Sequence, residues 1–447
     1  MAEESGMPPL SIEQSTELLE RARELIPRAA QTNSKSPSSF VQDVSPTHLE
    51  RAEGCRVWDV DGNEYIDCVM GLGPNLLGHN YPPVTEAVRE QIEDGTAFSM
   101  PNPLQVEVAE LITEAVPCAE MVRFGKNGND MTALAAKLAR AHTGRDVIAT
   151  QGYHGWPDVF MSASEGATSG IPDGVGEYTE SFEYNDVESL ERIFDEHPDD
   201  VAAIVTTPVN MEPPEDDFIQ RMREVADRED ALLVFDEILT GFRFALGGAQ
   251  EHYGVTPDLA AFAKGISNGY PLSALAGRED VMHTMENNDF IFSMTYAGEA
   301  VSLAAAKAAI TEQMEQGDVH EHIWRQGEAI MEGYNELAAE HGLDHLTECH
   351  GIGPRVGVNF HDAEAAGASA NALESLFMQE AHRGGVLFAG PHLPSYSHGD
   401  EDVEGMLRVY DDALATLAEA VDGGSVERRL EGQPVGGSLR EQLGEED

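Results

Sequence analysis

The sequence predicts an α/β chain: a mostly parallel sheet covered by helices, with a smaller α+β domain drawn from the N- and C-terminal segments. Three observations carry this. Helical and extended stretches alternate through the middle of the chain. The extended stretches are short and apolar, as in strands buried on both faces. A chain of 447 residues with 41% hydrophobic content holds more than a single core.

In order along the chain, residues 12–25 carry a helical pattern that Pro27 ends, and a Ser/Asn/Pro-rich loop follows to about Ser45. Residues 56–67 alternate apolar and polar about Asp61-Gly62, the signature of a hairpin with a primed turn. A glycine-rich connection, 71–78, leads into helical patterning from Pro83. Helices are expected at 131–142, 190–196 and 218–228, and strands at 146–150, 201–205, 232–235 and 259–263. An alanine-rich helix, 300–314, returns to the smaller domain, which holds the extended runs 355–360 and 385–388. After about Gly423 the chain turns polar, and a frayed tail is expected through Gly436-Gly437 to Glu445-Glu446-Asp447. The expected limits are 1–78 for the N-terminal segment, 79–310 for the large domain, 311–423 for the small domain and 424–447 for the tail.

Composition narrows the setting. No apolar stretch approaches the roughly 20 residues that span a bilayer, and residues 1–10 lack the basic flank and apolar core of an export signal. Cys55, Cys68, Cys118 and Cys349 are scattered, which fits reduced thiols and a cytoplasmic setting. Acids number 81 against 27 Lys plus Arg, a formal net charge of -54, and they are spread along the chain. At molar salt the Debye length falls to about 3 Å and such self-repulsion is screened, so a halophile's cytoplasm is expected. The same field makes nucleic acid and anionic membranes poor partners.

Two apolar runs end in chemistry. Leu232-Leu233-Val234-Phe235 delivers Asp236-Glu237, and Leu259-Ala260-Ala261-Phe262-Ala263 delivers Lys264. A carboxylate and an amine at buried strand ends are the two groups that a pyridoxal phosphate enzyme needs, one for the pyridine nitrogen and one for the aldehyde. Taken alone, Asp236 reads more readily as a helix cap, and Lys264 also fits a snorkelling surface lysine. The chain has only Lys35, Lys126, Lys137, Lys264 and Lys307, however, which favours the catalytic reading of Lys264. Residues 124–130, Phe-Gly-Lys-Asn-Gly-Asn-Asp, open a helix whose free N–H groups could seat a phosphate or simply carry an ordinary cap. Tyr153, in Gly152-Tyr153-His154-Gly155-Trp156, could stack on a cofactor ring or fill the core. No His, Asp or Glu grouping has dependable metal-ligand spacing. No G-x-G-x-x-G follows a first strand, which argues against a dinucleotide oxidoreductase.

Together these pieces resemble the class III aminotransferases of pyridoxal phosphate fold type I, near the glutamate-1-semialdehyde aminomutase branch. The resemblance runs from Trp58-Asp59-Val60-Asp61-Gly62 through Gly78-His79 and Tyr153-His154-Gly155 to Gly385-Val386, and is most specific across 233–264. It implies a large domain with a sheet of the seven-stranded type. It also implies pyridoxal 5'-phosphate as cofactor, Lys264 as Schiff-base lysine, Asp236 as the pyridine partner, and Ile238 and Tyr153 on the two ring faces. Gly128 and Asn129 would bind phosphate through main-chain N–H groups. Thr295 would reach the phosphate of the neighbouring subunit, which makes a homodimer the expected minimum. The implied activity is amino transfer from a small-molecule donor to a keto or aldehyde acceptor. The alternatives are intramolecular transfer by an aminomutase-like isomerase, and a non-catalytic protein that kept the fold.

Three departures bear on substrate. Asn127-Gly128-Asn129 stands where the family usually has Ser-Gly-Thr, and Thr207-Pro208-Val209 where most members have Glu-Pro-Val. Residues 33–39, Asn-Ser-Lys-Ser-Pro-Ser-Ser, lack the arginine that aminomutases use for the substrate carboxylate, which argues against the tetrapyrrole-precursor reaction. Arg123, Arg243, Lys35 and Lys126 remain candidate partners for a carboxylate or phosphate.

Overall fold

The computed structural model describes residues 10–164, 168–215 and 217–436. The expectations for residues 1–9 and for the tail at 437–447 lie outside the described residues. The first strands in chain order are β1 (Leu49–Glu53), β2 (Arg56–Asp59) and β3 (Glu64–Asp67). Seven follow: β4 (Met121–Gly125), β5 (Val147–Gln151), β6 (Thr179–Ser181), β7 (Val201–Thr206), β8 (Leu232–Asp236), β9 (Leu259–Phe262) and β10 (Ser273–Gly277). The last are β11 (Thr347–Ile352), β12 (Arg355–Phe360), β13 (Val386–Leu387) and β14 (Pro391–His392).

The chain forms two compact units. Among the described residues, one takes those up to Leu72, Gly78–Asn80 and those from Glu321; the other takes Gly73–Leu77 and Tyr81–His320. The second unit therefore runs past 310. Helix Ala300–Gln316 packs on helices Pro82–Asp94 and Leu104–Ala115 of that unit, and the His320 ring lies 3.1 Å from the Phe242 carbonyl.

The second unit is built on a seven-stranded sheet in the order β4-β10-β9-β8-β7-β5-β6. β10 pairs antiparallel with both β4 and β9, while the pairs among β9, β8, β7, β5 and β6 are all parallel. Every residue of β5, β7, β8, β9 and β10 is buried. That is why these runs are continuously apolar rather than alternating: both faces are covered. On one face Met131, Leu134 and Leu138 of helix Gly128–Thr143 pack against Ile148, Val205, Val234 and Ala261.

The first unit has two small sheets, β1-β2-β3-β13 and β11-β12-β14. The hairpin expected at 56–67 is β2–β3, with Arg56 paired to Ile66 and Trp58 to Glu64. Its core joins Ile330, Tyr334 and Ala338 of helix Val319–Glu340 to Phe377, Tyr410, Leu414 and Leu417. Val426 and Val435 belong to the same core, so residues 424–436 are not the frayed tail expected from their polarity. Residues 426–429 form a helical turn, and Gln42 and Gln433 exchange backbone hydrogen bonds of 3.2 Å in both directions. Two valines nine positions apart are too sparse to show a period, yet they anchor the segment. Among the described residues no helix is long and apolar enough to cross a membrane.

Candidate active site

Sheet topology gathers most of the candidate residues at one edge. In a parallel sheet, ligands sit beyond the carboxyl ends of the strands. Gly128 and Asn129 follow β4, Tyr153 follows β5, Thr207 follows β7, Asp236 ends β8 and Lys264 follows β9. The β8–β9 register sets Asp236 opposite Ala261, so the acid and the lysine leave adjacent parallel strands in the same direction.

Asp236 is buried and held on both oxygens. Oδ1 accepts from the Ile238 N–H at 3.1 Å, and Oδ2 lies 2.7 Å from Nδ1 of the buried His154. The other ring nitrogen of His154 is 2.9 Å from the Gln151 carbonyl oxygen. A carbonyl only accepts, so Nε2 is the donor to Gln151, which fixes the ring with Nδ1 against Asp236. The neighbouring Glu237 does other work. It is fully buried and accepts from Thr240 Oγ1 and from the N–H groups of Ala249 (2.8 Å) and Gln250 (2.9 Å). Burial pushes its carboxyl up, against these hydrogen bonds.

Close contacts tie the rest to this pair. A Cβ on Gly128 would come within 2.5 Å of Ile238 Cδ1, and one on Gly155 within 2.5 Å of Asn129 Cβ. Thr132 Oγ1 donates to the His154 carbonyl at 2.8 Å, so the 152–156 turn lies on the start of helix Gly128–Thr143. Tyr153 stays 57% exposed between Gly152 and Gly155, both at positive φ. A Cβ on Gly152 would meet Thr207 Oγ1 at 3.0 Å, which puts Thr207 against the same turn. Sequence reasoning passed over His154, whose only signal was a histidine beside the candidate aromatic.

Lys264 has φ of 47°, a left-handed conformation that costs a non-glycine residue about 1 kcal/mol or more. Such strain gathers at functional sites, and it turns the chain sharply at the end of β9. Thr295 is exposed, in the segment before helix Ala300–Gln316. Three of the four candidate cations have other duties. Arg243 is fully buried, donates to the Gly73 carbonyl at 2.9 Å, and is pushed down to about 9 by burial. Arg123 donates to the Phe292 carbonyl at 3.2 Å. Lys126 binds Glu299 at 2.7 Å. Lys35 lies on the wall of a cavity of about 700 Å³ in the first unit, with Arg28 and Arg51.

These residues fit pyridoxal phosphate. The helix start at Gly128 leaves N–H groups without intrahelical acceptors, and only a glycine there clears Ile238. Asp236 supplies a buried, oriented carboxylate and Lys264 an amine from the adjacent strand. Comparison with known proteins agrees. The chain is 34% identical over 443 residues, 88% of its length and 99% of the relative's, to a protein of Halorubrum lacusprofundi named glutamate-1-semialdehyde 2,1-aminomutase. It is similar in structure to the FumI protein of Sphingopyxis sp. MTA144, solved with PLP, at a TM-score of 0.84 and 28% identity, covering 94% of this chain and 98% of that one. An omega-transaminase from Sphaerobacter thermophilus matches at a TM-score of 0.81 and 27% identity, over 91% of this chain and 98% of that one. The family model described as Aminotransferase class-III matches residues 39–414, and the chain belongs to that family of enzymes, whose cofactor is pyridoxal 5'-phosphate.

Proposed function

We propose that the chain moves an amino group within a single small amino-carbonyl compound, in the manner of glutamate-1-semialdehyde 2,1-aminomutase. The observation that carries this is the 34% identity over nearly the whole length of a relative bearing that name. The missing arginine at 33–39 counts against this reading and is the main ground for the second one.

When bound, the cofactor draws electrons from the substrate carbon that loses a proton. The Asp236 carboxylate, held by His154 at 2.7 Å, would keep the pyridine nitrogen protonated through its charge. Lys264 Nζ would take the proton from the substrate carbon and give it up again, as general base and then acid. Gly128 and Asn129 would hold the phosphate through backbone N–H groups, with Ile238 and Tyr153 against the ring. Thr295 would serve the phosphate of a second copy, which would make the working unit a homodimer. The acid-rich surface suits a cytoplasm of high salt.

Transfer between two compounds is the second reading, favoured by the absence of arginine at 33–39 and by the likeness to the omega-transaminase. The test is turnover of glutamate-1-semialdehyde alone in molar salt. Conversion to its isomer with no added donor or acceptor is expected. An absolute need for an amino donor and a carbonyl acceptor would replace the first reading with the second. Lys264→Ala should abolish the colour that borohydride bleaches in the wild type; retained turnover would remove Lys264 from the chemistry.

A further inference from the structure

The segment that carries Thr295 is held down by cations that this chain can scarcely spare. Of its five lysines, two are spent here. Lys137 Nζ donates to the Ile291 carbonyl at 2.6 Å and lies 4.8 Å above the Phe290 ring. Lys126 Nζ, one residue beyond β4, donates to the Pro271 carbonyl at 2.8 Å, to Glu299 Oε1 at 2.7 Å and to Ser302 Oγ at 3.2 Å. An ammonium has three protons, and here all three have acceptors. Lys126 therefore has no donor left for a phosphate, although its place in the 124–130 turn suggests one.

Glu299 is equally committed. Oε2 accepts from the Val301 N–H at 2.8 Å and Oε1 from the Ser302 N–H at 3.0 Å, which caps helix Ala300–Gln316. Burial pushes the Glu299 carboxyl up, but hydrogen bonds from Lys126 and Ser302 outweigh it and hold the carboxyl below its usual range. On its other side the turn is tied by Asp130, whose Oδ2 accepts from the Asn127 N–H at 2.7 Å and the Lys126 N–H at 3.3 Å. Both side chains of the Lys126–Glu299 pair are only 15% exposed, so salt screens it far less than a surface pair.

We propose that Lys126 is a positioning residue for the phosphate seat: through Glu299 it latches the 126–129 turn to the 293–299 segment and fixes the directions of the Gly128 and Asn129 N–H groups. This rests on the reading of those two residues as the phosphate seat. Groups aimed before the ligand arrives bind it without a further ordering cost, so the latch acts on the phosphate alone and not on the ring or the aldehyde.

The test compares pyridoxal 5'-phosphate with pyridoxal, which lacks the phosphate. Apoprotein in molar salt is titrated with each and followed by absorbance, with the thermal midpoint of the apoprotein recorded alongside. Lys126→Met should weaken pyridoxal 5'-phosphate at least tenfold and change pyridoxal less than twofold. Glu299→Gln should do the same in smaller measure, Lys126→Arg should recover part of the loss, and the double variant should be no worse than Lys126→Met. An equal loss for both ligands marks a merely structural residue and overturns the latch, as does no loss for either. A wild-type protein that holds both ligands equally well would overturn the phosphate seat itself, and the latch with it.

Discussion

Gly128 has no room for even one methyl group: a Cβ there would sit 2.5 to 3.1 Å from three carbons of Ile238. Overpacking of this kind costs about 1–3 kcal/mol unless the neighbour gives way. Gly128→Ala should therefore weaken cofactor binding, and Ile238→Val, which removes the nearest carbon, should restore part of it in the double variant. Titration of the four proteins checks this; an affinity untouched by Gly128→Ala would break the link between this contact and the site. His154 makes the second residue-scale case. His154→Ala would leave Oδ2 of the buried Asp236 without its partner at a cost of about 1–3 kcal/mol, a loss of roughly ten- to a hundredfold. A turnover within twofold of wild type would count against the pair. Asp236 and Lys264 stood out in the sequence because each ends an apolar run. His154 did not, because its partner lies 82 positions away and only the sheet brings them together.

At the scale of elements, Asp258 clasps three strands of the large sheet. Its carboxylate accepts from the Leu233 N–H of β8 at 2.8 Å, from Arg223 at 2.8 Å and from Arg278, just past β10, at 2.6 Å, while it immediately precedes β9. Removing one partner of a buried pair costs about 3–5 kcal/mol. Asp258→Ala belongs at the low end of that range, because the Arg278 side chain is 45% exposed and can turn to water. Asp258→Asn, which still accepts from Leu233, should lose less. Denaturant midpoints in molar salt check the order, and equal losses would mean that charge rather than the backbone clasp is what matters. The helix–strand alternation was legible because buried parallel strands read as continuous apolar runs. β4 and β10 were not, for a related reason. Ser273-Ala274-Leu275-Ala276-Gly277 is short, small and wholly buried, and such a run carries no mark of its direction. Its antiparallel pairing with β4 and β9 is set by partners far off in sequence. The order at 424–436 was hidden in the same way, since it rests on Val426 and Val435 meeting a core made elsewhere.

For the whole molecule, a formal charge of -54 sets how stability answers to salt and to acid. Lowering salt should unfold the protein by unscreened repulsion; full activity after dialysis into dilute buffer would refute a high-salt setting. Acid brings two opposed effects. Protonating surface carboxylates relieves repulsion, but the first unit also buries three histidines that burial pushes down to about 4: His382, His392 and His398. Burial is the main cause for each, and in His382 and His392 it outweighs the carbonyls of Phe388 and Gly390, which favour the charged ring. Between about 6.5 and 4 the unfolded chain binds protons that the folded chain refuses. Stability from these groups is therefore complete above about 6.5 and is lost as pH falls through that window. A shift of this size is worth on the order of 3 kcal/mol per histidine at most, enough to outweigh the relief of a repulsion that molar salt already screens. Denaturant midpoints at pH 7, 6, 5 and 4 in molar salt should fall steadily for the wild type and less steeply for His382→Gln, which keeps a polar side chain with nothing to titrate. Parallel curves for the two proteins would mean that the acid limb belongs to the carboxylates and not to the buried rings.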